Sequence, residues 1–349
     1  MRVLITGGCG FIGSHLVRKC IQLEHIERIV NLDALTYAGQ PLNLVDIQED
    51  PKYLFVHGTI NDSDLLHDLI EEEGIDCIIN LAAESHVDRS IGSVGEFVKT
   101  NVDGTRTILE EIVRFAKSGK SIGLIQVSTD EVYGSLEQDE PPFTEDSPLR
   151  PMNPYAATKA ASDMMVQAFV NTHGISAIIT RCSNNYGPNQ FPEKLIPLMV
   201  LNSIEGKALP VYGDGMQIRD WIHVEDHVDG IILSMGGLNS GIIKSGEVIN
   251  FGADHEMPNI EIVKTVVSIV GANNDQIKFV SDRPGHDRRY AMGYEKAERV
   301  LSWEPKIDWQ RGIRETVEWY ISNSEWVESI RSDEYRSWLT HHYGGGANE

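Results

Sequence analysis

The chain has 349 residues, of which 41% are hydrophobic and 23% are charged. These proportions are ordinary for a globular protein of about two domains, and they exclude collagen-like, low-complexity and disordered classes. Asp and Glu number 52 against 30 Lys and Arg, which gives a formal net charge of −22. Because so acidic a surface repels phosphate backbones and anionic lipid, we expect neither a nucleic-acid nor a membrane partner.

The cysteines and the apolar segments indicate the cellular compartment. Cys9, Cys20, Cys77 and Cys182 form no C-x-x-C pair, the spacing typical of zinc and redox sites. Scattered cysteines in a large chain indicate buried free thiols, as in the reducing cytosol. No signal peptide is evident, and no apolar run approaches the ~20 residues of a membrane span. We therefore expect a cytoplasmic protein.

The first half of the chain alternates short β-rich runs with helical stretches. Strands are predicted at residues 2–6, 28–32, 53–57, 77–82, 122–128 and 177–181. Helices are predicted at residues 11–23, 62–73, 97–117 and 155–173. Continuous apolar strands that alternate with helices predict an α/β fold, a doubly wound parallel sheet with helices on both faces.

The alternation ends near Tyr186, and prolines interrupt the region that follows. Helices are predicted there at residues 194–205, 224–235, 259–270 and 309–322. We therefore predict a larger domain over residues 1–187, a smaller α/β substrate-binding lobe mainly over 188–343, and a disordered tail over 344–349.

A glycine-rich segment joins the first strand to the first helix. Gly7, Gly10 and Gly13 allow a tight turn, a close approach to a pyrophosphate and close helix packing. The N–H groups at the helix start can then bind the phosphates. Asp33 lies 20 residues beyond Gly13, where a carboxylate binds a ribose hydroxyl and repels a 2′-phosphate. The pattern favours a Rossmann domain that binds NAD over the alternatives, a purely structural turn and a solvated acid.

Tyr155 and Lys159 lie four residues apart on a predicted helix and therefore share one face. An ammonium beside a phenol favours the phenolate and lowers the phenol's pKa. Such a tyrosine can remove a proton from an alcohol while a hydride leaves the same carbon for NAD. An amphipathic helix with an exposed lysine is the alternative interpretation.

Thr129, Asp130 and Glu131 follow the fifth predicted strand. Ligands of open α/β sheets bind at the carboxyl ends of the strands. Thr129 can form a hydrogen bond with the reacting hydroxyl. Two adjacent carboxyls in different environments can act as one acid and one base. Taken alone, the same residues are equally typical of strand-end caps.

Long motifs carry a resemblance to a known family. Residues 81–90, 128–134 and 155–159 resemble the extended short-chain dehydrogenase/reductase superfamily, and residues 181–188, 191–197, 217–221 and 283–290 resemble the dTDP-glucose 4,6-dehydratases within it. The resemblance implies a Rossmann domain to which the chain returns within about 218–252, and a smaller nucleotide-sugar lobe. It also implies NAD as cofactor and a homodimer packed through helices near 97–117 and 155–173.

The resemblance also implies a reaction on dTDP-glucose. Tyr155 takes the 4-hydroxyl proton as a hydride passes from C4 to NAD. Glu131 then removes the C5 proton, and Asp130 protonates the leaving 6-hydroxyl. The hydride returns to C6, which gives a 4-keto-6-deoxy sugar. An epimerase or a plain dehydrogenase needs only the Tyr155–Lys159 pair, so Asp130 and Glu131 are the most diagnostic residues.

By the same resemblance, binding roles fall on particular residues. The implied cofactor residues are Gly7, Gly10, Phe11, Ile12, Gly13, Asp33, Thr59, Ile60, Leu81, Ala82, Ala83, Thr100, Tyr155, Lys159 and Asn185. The implied substrate residues are Ser85, Thr129, Asn184, Lys194, Leu195, Pro210, Val211, Tyr212, Arg219, Asn250, Arg283, His286 and Tyr343. The two arginines suit a diphosphate, which an acidic protein can bind where a few cations converge. No metal is implied.

Two positions depart from the family pattern, and three alternatives stay open. Ala34 stands where the family usually has Lys, and Thr59 stands where Asp is common. A UDP-glucose 4,6-dehydratase is an alternative, since base choice rests on few contacts. An epimerase or decarboxylase is disfavoured by the adjacent carboxyls. A catalytically silent NAD-sensing module is disfavoured by the complete set of Thr129, Asp130, Glu131, Tyr155 and Lys159.

Overall fold

The computed structural model describes residues 1–282 and 285–330. The predicted tail at 344–349 and the predicted substrate residues Arg283 and Tyr343 lie outside the described residues. The strands are β1 (Arg2–Thr6), β2 (Arg28–Asp33), β3 (Tyr53–His57), β4 (Cys77–Asn80), β5 (Gly123–Thr129), β6 (Ser176–Cys182), β7 (Asn184–Tyr186), β8 (Leu209–Tyr212), β9 (Ile218–His223), β10 (Val248–Phe251), β11 (Glu256–Pro258) and β12 (Ile277–Val280).

Helices alternate with these strands in the first half of the chain and cluster near the end of the described residues. They are α1 (Phe11–Ile21), α2 (Ser63–Glu72), α3 (Val87–Gly92), α4 (Val94–Phe97), α5 (Thr105–Lys117), α6 (Pro154–His173), α7 (Leu195–Ile204), α8 (Val224–Ser240), α9 (Asn259–Val270), α10 (Glu295–Leu301), α11 (Trp309–Ser322) and α12 (Ser324–Ile330). Asp62 caps α2, and Asn153 caps α6, each by accepting a backbone N–H.

Seven parallel strands form the main sheet in the order β10-β6-β5-β4-β1-β2-β3. Alternate residues of β1 point to opposite faces: Val3 and Ile5 join one apolar cluster with α1 and α8, whereas Leu4 joins another with α2, α5 and α6. Both faces are therefore covered by helices. The predicted doubly wound parallel sheet is confirmed.

The strands and helices predicted for the first half are all present, with ends shifted by a few residues. The predicted helix over 97–117 is wrong in one respect, because Val98–Gly104 has π-helical hydrogen bonding before α5 begins. Single-turn π segments occur often at functional sites. Thr100, a predicted cofactor residue, lies in this segment.

β10 adds a seventh strand beside β6, and α8 packs against α1 under the sheet. The chain thus returns to the main sheet at β10, after β7, β8 and β9, which belong to two smaller sheets. The predicted boundary between two domains is not tested by this arrangement and stays a prediction.

The remaining elements build a second core beside the carboxyl ends of the main strands. β11, β9 and β7 form one small sheet, and β12 pairs with β8 in another. Helices α7, α9 and α11 pack around Tyr186, Trp221 and Trp309. All four cysteines are buried free thiols, as the sequence predicts. Within residues 1–282 and 285–330, no helix combines the length and apolarity that crossing a membrane requires.

Candidate active site

A cavity of about 530 Å³ opens at the carboxyl ends of β1, β2, β4 and β5. Strand order reverses between β1 and β4, and open α/β sheets bind ligands at such a switch point. Every predicted cofactor residue and every predicted catalytic residue lines this cavity. Of the predicted substrate residues, the cavity includes Ser85, Thr129, Asn184 and Lys194.

The glycine-rich turn brings backbone close to this cavity. Gly7 has a left-handed φ of +71°, and a Cβ there would lie 2.8 Å from the backbone nitrogen of Ala82. A Cβ on Gly13 would lie 2.2 Å from the carbonyl oxygen of Gly7, so only glycine lets α1 start this close to β1. Gly10 is the N-cap of α1, and no described side chain caps that helix. Its first N–H groups are therefore available to an anion.

Replacing Gly13 with Ala is expected to lower the free energy of unfolding by about 1–3 kcal/mol, because the added methyl meets rigid backbone. Thermal or urea unfolding measures the loss. Gly236→Ala is the matched control, since Gly236 also lies in a helix but has open space at its Cβ position. Equal stability of Gly13→Ala and the wild type would contradict the close packing.

Asp33 ends β2 and lines the cavity. Its two carboxylate oxygens accept hydrogen bonds from the N–H groups of Cys9 and Leu35, each at 2.8 Å. Burial raises the pKa of Asp33, while these two N–H donors lower it. The donors fix the direction of the carboxylate and leave lone pairs on both oxygens for further donors.

The two departures from the family pattern, Ala34 and Thr59, line the same cavity. Thr59 Oγ1 lies 3.2 Å from Oδ1 of Asn61, and Asn61 Nδ2 donates to the carbonyl of Lys99 at 2.8 Å. The threonine hydroxyl is therefore held in a local network beside the π segment.

Tyr155 and Lys159 project from α6 beneath the end of β5. Lys159 is 4% exposed, and its Nζ donates to the carbonyl of Val127 at 2.7 Å. Burial, followed by the charge of Glu131, raises the pKa of Tyr155 well above its ordinary value, while a hydrogen bond with Thr129 lowers it. The sequence predicted a pKa lowered by Lys159, whereas burial leaves the pKa of Tyr155 raised in this structure.

Asp130 and Glu131 differ sharply in environment, although they are adjacent. Asp130 is 2% exposed, and its Oδ2 has no hydrogen-bond partner among the described residues. Burial, followed by the charge of Glu131, raises the pKa of Asp130 well above its ordinary value. Glu131 instead accepts a hydrogen bond from Asn153 Nδ2 at 3.1 Å. The two adjacent carboxyls therefore lie in different environments, which is what an acid–base pair requires.

The other described substrate residues of the prediction lie outside this cavity: Leu195, Pro210, Val211, Tyr212, Arg219, Asn250 and His286. The guanidinium carbon of Arg219 lies 4.3 Å from the ring centre of Tyr290. The charge of Arg219 also lowers the pKa of Asp130. Asn250 is completely buried and accepts a hydrogen bond from the Tyr133 hydroxyl at 2.9 Å. Substrate roles for these residues stay predictions.

The prediction omitted several polar residues that line the cavity, among them Gln190 and Glu193. Glu193 accepts hydrogen bonds from the Tyr37 hydroxyl at 2.9 Å and from Arg89 at 3.1 Å. Its position next to Lys194 in the 191–197 motif was the available signal. Asn153 was also omitted, because only the fold brings it to Glu131.

Comparisons with known proteins show the family of the chain. The family described as GDP-mannose 4,6 dehydratase matches residues 4–316. The dTDP-glucose 4,6-dehydratase 1 of Escherichia coli K12 is 43% identical over 99% of both chains. The chain belongs to the dTDP-glucose 4,6-dehydratase family.

Solved structures of this family have the same fold. The dTDP-glucose 4,6-dehydratase DesIV of Streptomyces venezuelae, with NAD and TYD bound, is 43% identical and superposes with a TM-score of 0.89. It covers 95% of this chain and 100% of its own. The Bacillus anthracis dTDP-glucose 4,6-dehydratase, in complex with NAD, is 46% identical with a TM-score of 0.85 over the same shares. The family and the Rossmann-type fold predicted from the motifs are confirmed.

Proposed function

We propose that this protein is an NAD-dependent dTDP-glucose 4,6-dehydratase. The observation that carries the proposal is the cavity wall where buried Asp130, with a raised pKa, lies beside Glu131 and Tyr155. A dehydratase needs an acid for the leaving hydroxyl and a base for the neighbouring carbon, in addition to a base for the alcohol. Family membership supports the same reaction.

The cavity residues fit NAD. Gly7 and Gly13 leave no room for a Cβ, so backbone can come close to a pyrophosphate, and Asp33 directs lone pairs to a ribose. Bound NAD would supply the hydride acceptor for C4 of the sugar and the hydride donor for C6. Lys159 lies one helical turn after Tyr155 and lines the same cavity, where its ammonium can donate to a ribose hydroxyl.

Tyr155 is the base for the 4-hydroxyl. Its hydroxyl lies beside Thr129, which can hold the substrate oxygen through the same hydrogen-bond network. Since burial raises the pKa of Tyr155, the phenolate is a strong base once it forms, and the nearby Lys159 cation stabilises it. The proton moves from the sugar hydroxyl to the phenol oxygen.

Water loss falls to the adjacent carboxyls. Glu131 takes the C5 proton, and the C5–H electron pair forms a C5–C6 double bond as the C6–O bond breaks. Asp130 supplies the proton with which the hydroxyl leaves as water. When a hydride reaches C6, protonated Glu131 returns its proton to C5. Oδ2 of Asp130 has no hydrogen-bond partner within residues 1–282 and 285–330, and when protonated it can donate to the 6-hydroxyl.

Mixing the purified protein separately with dTDP-glucose and UDP-glucose, followed by mass analysis of the nucleotide sugar, tests the proposal. Loss of one water from dTDP-glucose, with little from UDP-glucose, supports both the reaction and the base. The reverse preference keeps the reaction and assigns the uridine nucleotide. No mass change from folded, NAD-loaded protein contradicts a dehydratase and makes an epimerase the next candidate.

We expect extensively dialysed protein to keep its NAD. The proposed reaction leaves the cofactor in its starting oxidation state, so turnover requires no exchange with solution. Denaturing the dialysed protein and quantifying the released dinucleotide against protein measures the occupancy. Protein that emerges empty and needs added NAD for each turnover would contradict a retained cofactor.

The proposed partner is a second copy of this chain. Val98, on the π segment, and Met164, on α6, are 40% and 59% exposed, which supports a helix-mediated homodimer. Light scattering after size exclusion measures the mass, and a monomer would contradict the dimer.

The four buried free thiols support a cytoplasmic location.

A further inference from the structure

Asn153 lies between the helix that carries Tyr155 and the strand-end turn that carries Glu131. It is the N-cap of α6, with extended backbone, and Pro154 follows it as the first helical residue. Its Oδ1 accepts the N–H of Ala156 at 2.8 Å, and its Nδ2 donates to Oε2 of Glu131 at 3.1 Å. Only 8% of Asn153 is exposed. One buried side chain therefore contacts both elements of the acid–base site.

The orientation of this amide follows from its neighbours. A backbone N–H can only donate, so the atom that faces Ala156 has to be the amide oxygen. The NH₂ group of Asn153 then faces Glu131, and because NH₂ is a donor, Oε2 of Glu131 is the acceptor of this hydrogen bond. The contact therefore fixes the position of Oε2 as a hydrogen-bond acceptor, and a carboxylate accepts such a bond more strongly than a neutral acid does.

We propose that Asn153 is a positioning residue for the proton removal at C5, an inference that rests on the function proposed above. Its hydrogen bond fixes one oxygen of Glu131 and so directs the other toward the sugar. Because the same side chain caps the helix two residues before Tyr155, it also sets the distance between the two bases. The sugar can then present its 4-hydroxyl to one base and C5 to the other without moving.

Asn153→Ser separates this role from helix capping. Serine caps helices about as well as asparagine, but its short side chain has no NH₂ to reach Glu131. We expect unchanged thermal unfolding and unchanged reduction of bound NAD by dTDP-glucose. Water loss should slow by about 10- to 100-fold, the effect typical of a lost hydrogen bond to a charged group. Reduced nicotinamide should therefore accumulate transiently, visible by its near-ultraviolet absorbance in stopped flow.

Two further variants test the same inference, one at Asn153 and one at a helix cap away from the cavity. Asn153→Asp also preserves the cap but places a second carboxylate against Glu131, so water loss should be slower than in Asn153→Ser. Asp308→Ser changes the N-cap of α11, whose Asp308 accepts N–H groups away from the cavity, and should leave both steps unchanged. These variants distinguish a positioning effect from a general effect of altered caps.

Each remaining outcome overturns the inference. If Asn153→Ser lowers the unfolding temperature and slows both steps equally, Asn153 is a helix cap alone. If the Asn153→Ser or Asn153→Asp variant removes water from the sugar at the wild-type rate, the hydrogen bond to Glu131 does not position the base. Wild-type protein that removes no water from dTDP-glucose overturns the proposed function, and this inference with it; normal wild-type turnover confines any failure to Asn153.

Discussion

Tyr155→Phe is expected to lower the rate of dTDP-glucose conversion by roughly 100- to 10,000-fold, the contribution typical of a positioned general base. The 4-hydroxyl would keep its proton, so no hydride could leave C4 and no reduced nicotinamide would form. The fold should survive, because the ring of Tyr155 packs edge-to-face against Phe97 with centres 6.3 Å apart, a contact that phenylalanine preserves. Single-turnover absorbance of the nicotinamide measures the first step directly.

Tyr294→Phe is the matched control for this variant. Tyr294 also packs edge-to-face on an aromatic ring, that of Trp303, but it lies outside the cavity. It should turn over like the wild type. Near-normal turnover by Tyr155→Phe would contradict its role as the base, and unfolding of that variant would show itself as loss of bound NAD before any substrate is added.

Glu131→Gln is expected to stop water loss while C4 oxidation continues. Glutamine has the same shape and can still accept the hydrogen bond of Asn153 through its amide oxygen, but it cannot take a proton at C5. Reduced nicotinamide should then persist with a 4-keto sugar bound. Rapid quench with mass analysis should find no dehydrated nucleotide sugar, and water loss should fall by at least about 100-fold.

The separation of roles between Tyr155 and Glu131 depends on the order of events in this variant. If Glu131→Gln fails before any reduced nicotinamide forms, the carboxylate acts in the first step and the assignment is wrong. Glu137→Gln changes an exposed glutamate six residues along the same segment and serves as the control. It should show wild-type kinetics in both steps.

Local patterns predicted the nucleotide-binding unit well. Short-range rules predict the strand β1, the turn from Gly7 to Gly13 and the acid at Asp33. These rules are apolar runs, glycine spacing and the number of residues between the glycines and the acid. The same rules located the helix with Tyr155 and Lys159. Long motifs then identified the family, because matches over many residues are specific where a glycine motif is not.

Other features depend on contacts between distant residues. β10 has only four residues, and its place beside β6 depends on pairing across the sheet, which no local period encodes. The helical spacing of apolar residues does not predict the π segment before α5 either. Asn153 meets Glu131 across 22 residues of chain, so its role could not be read from either position alone.

The sequence by itself therefore determined the fold class through local patterning and the family through its long motifs, and it predicted the acid–base residues. Only the tertiary structure decided the direction in which the pKa values of Tyr155 and Asp130 shift. Lys159 lies one helical turn from Tyr155, which favours the phenolate, yet burial raises the pKa of Tyr155 in the protein alone. Burial likewise raises the pKa of Asp130 and distinguishes it from its neighbour Glu131. Desolvation depends on every chain segment packed around a group, and that packing exists only in the folded protein.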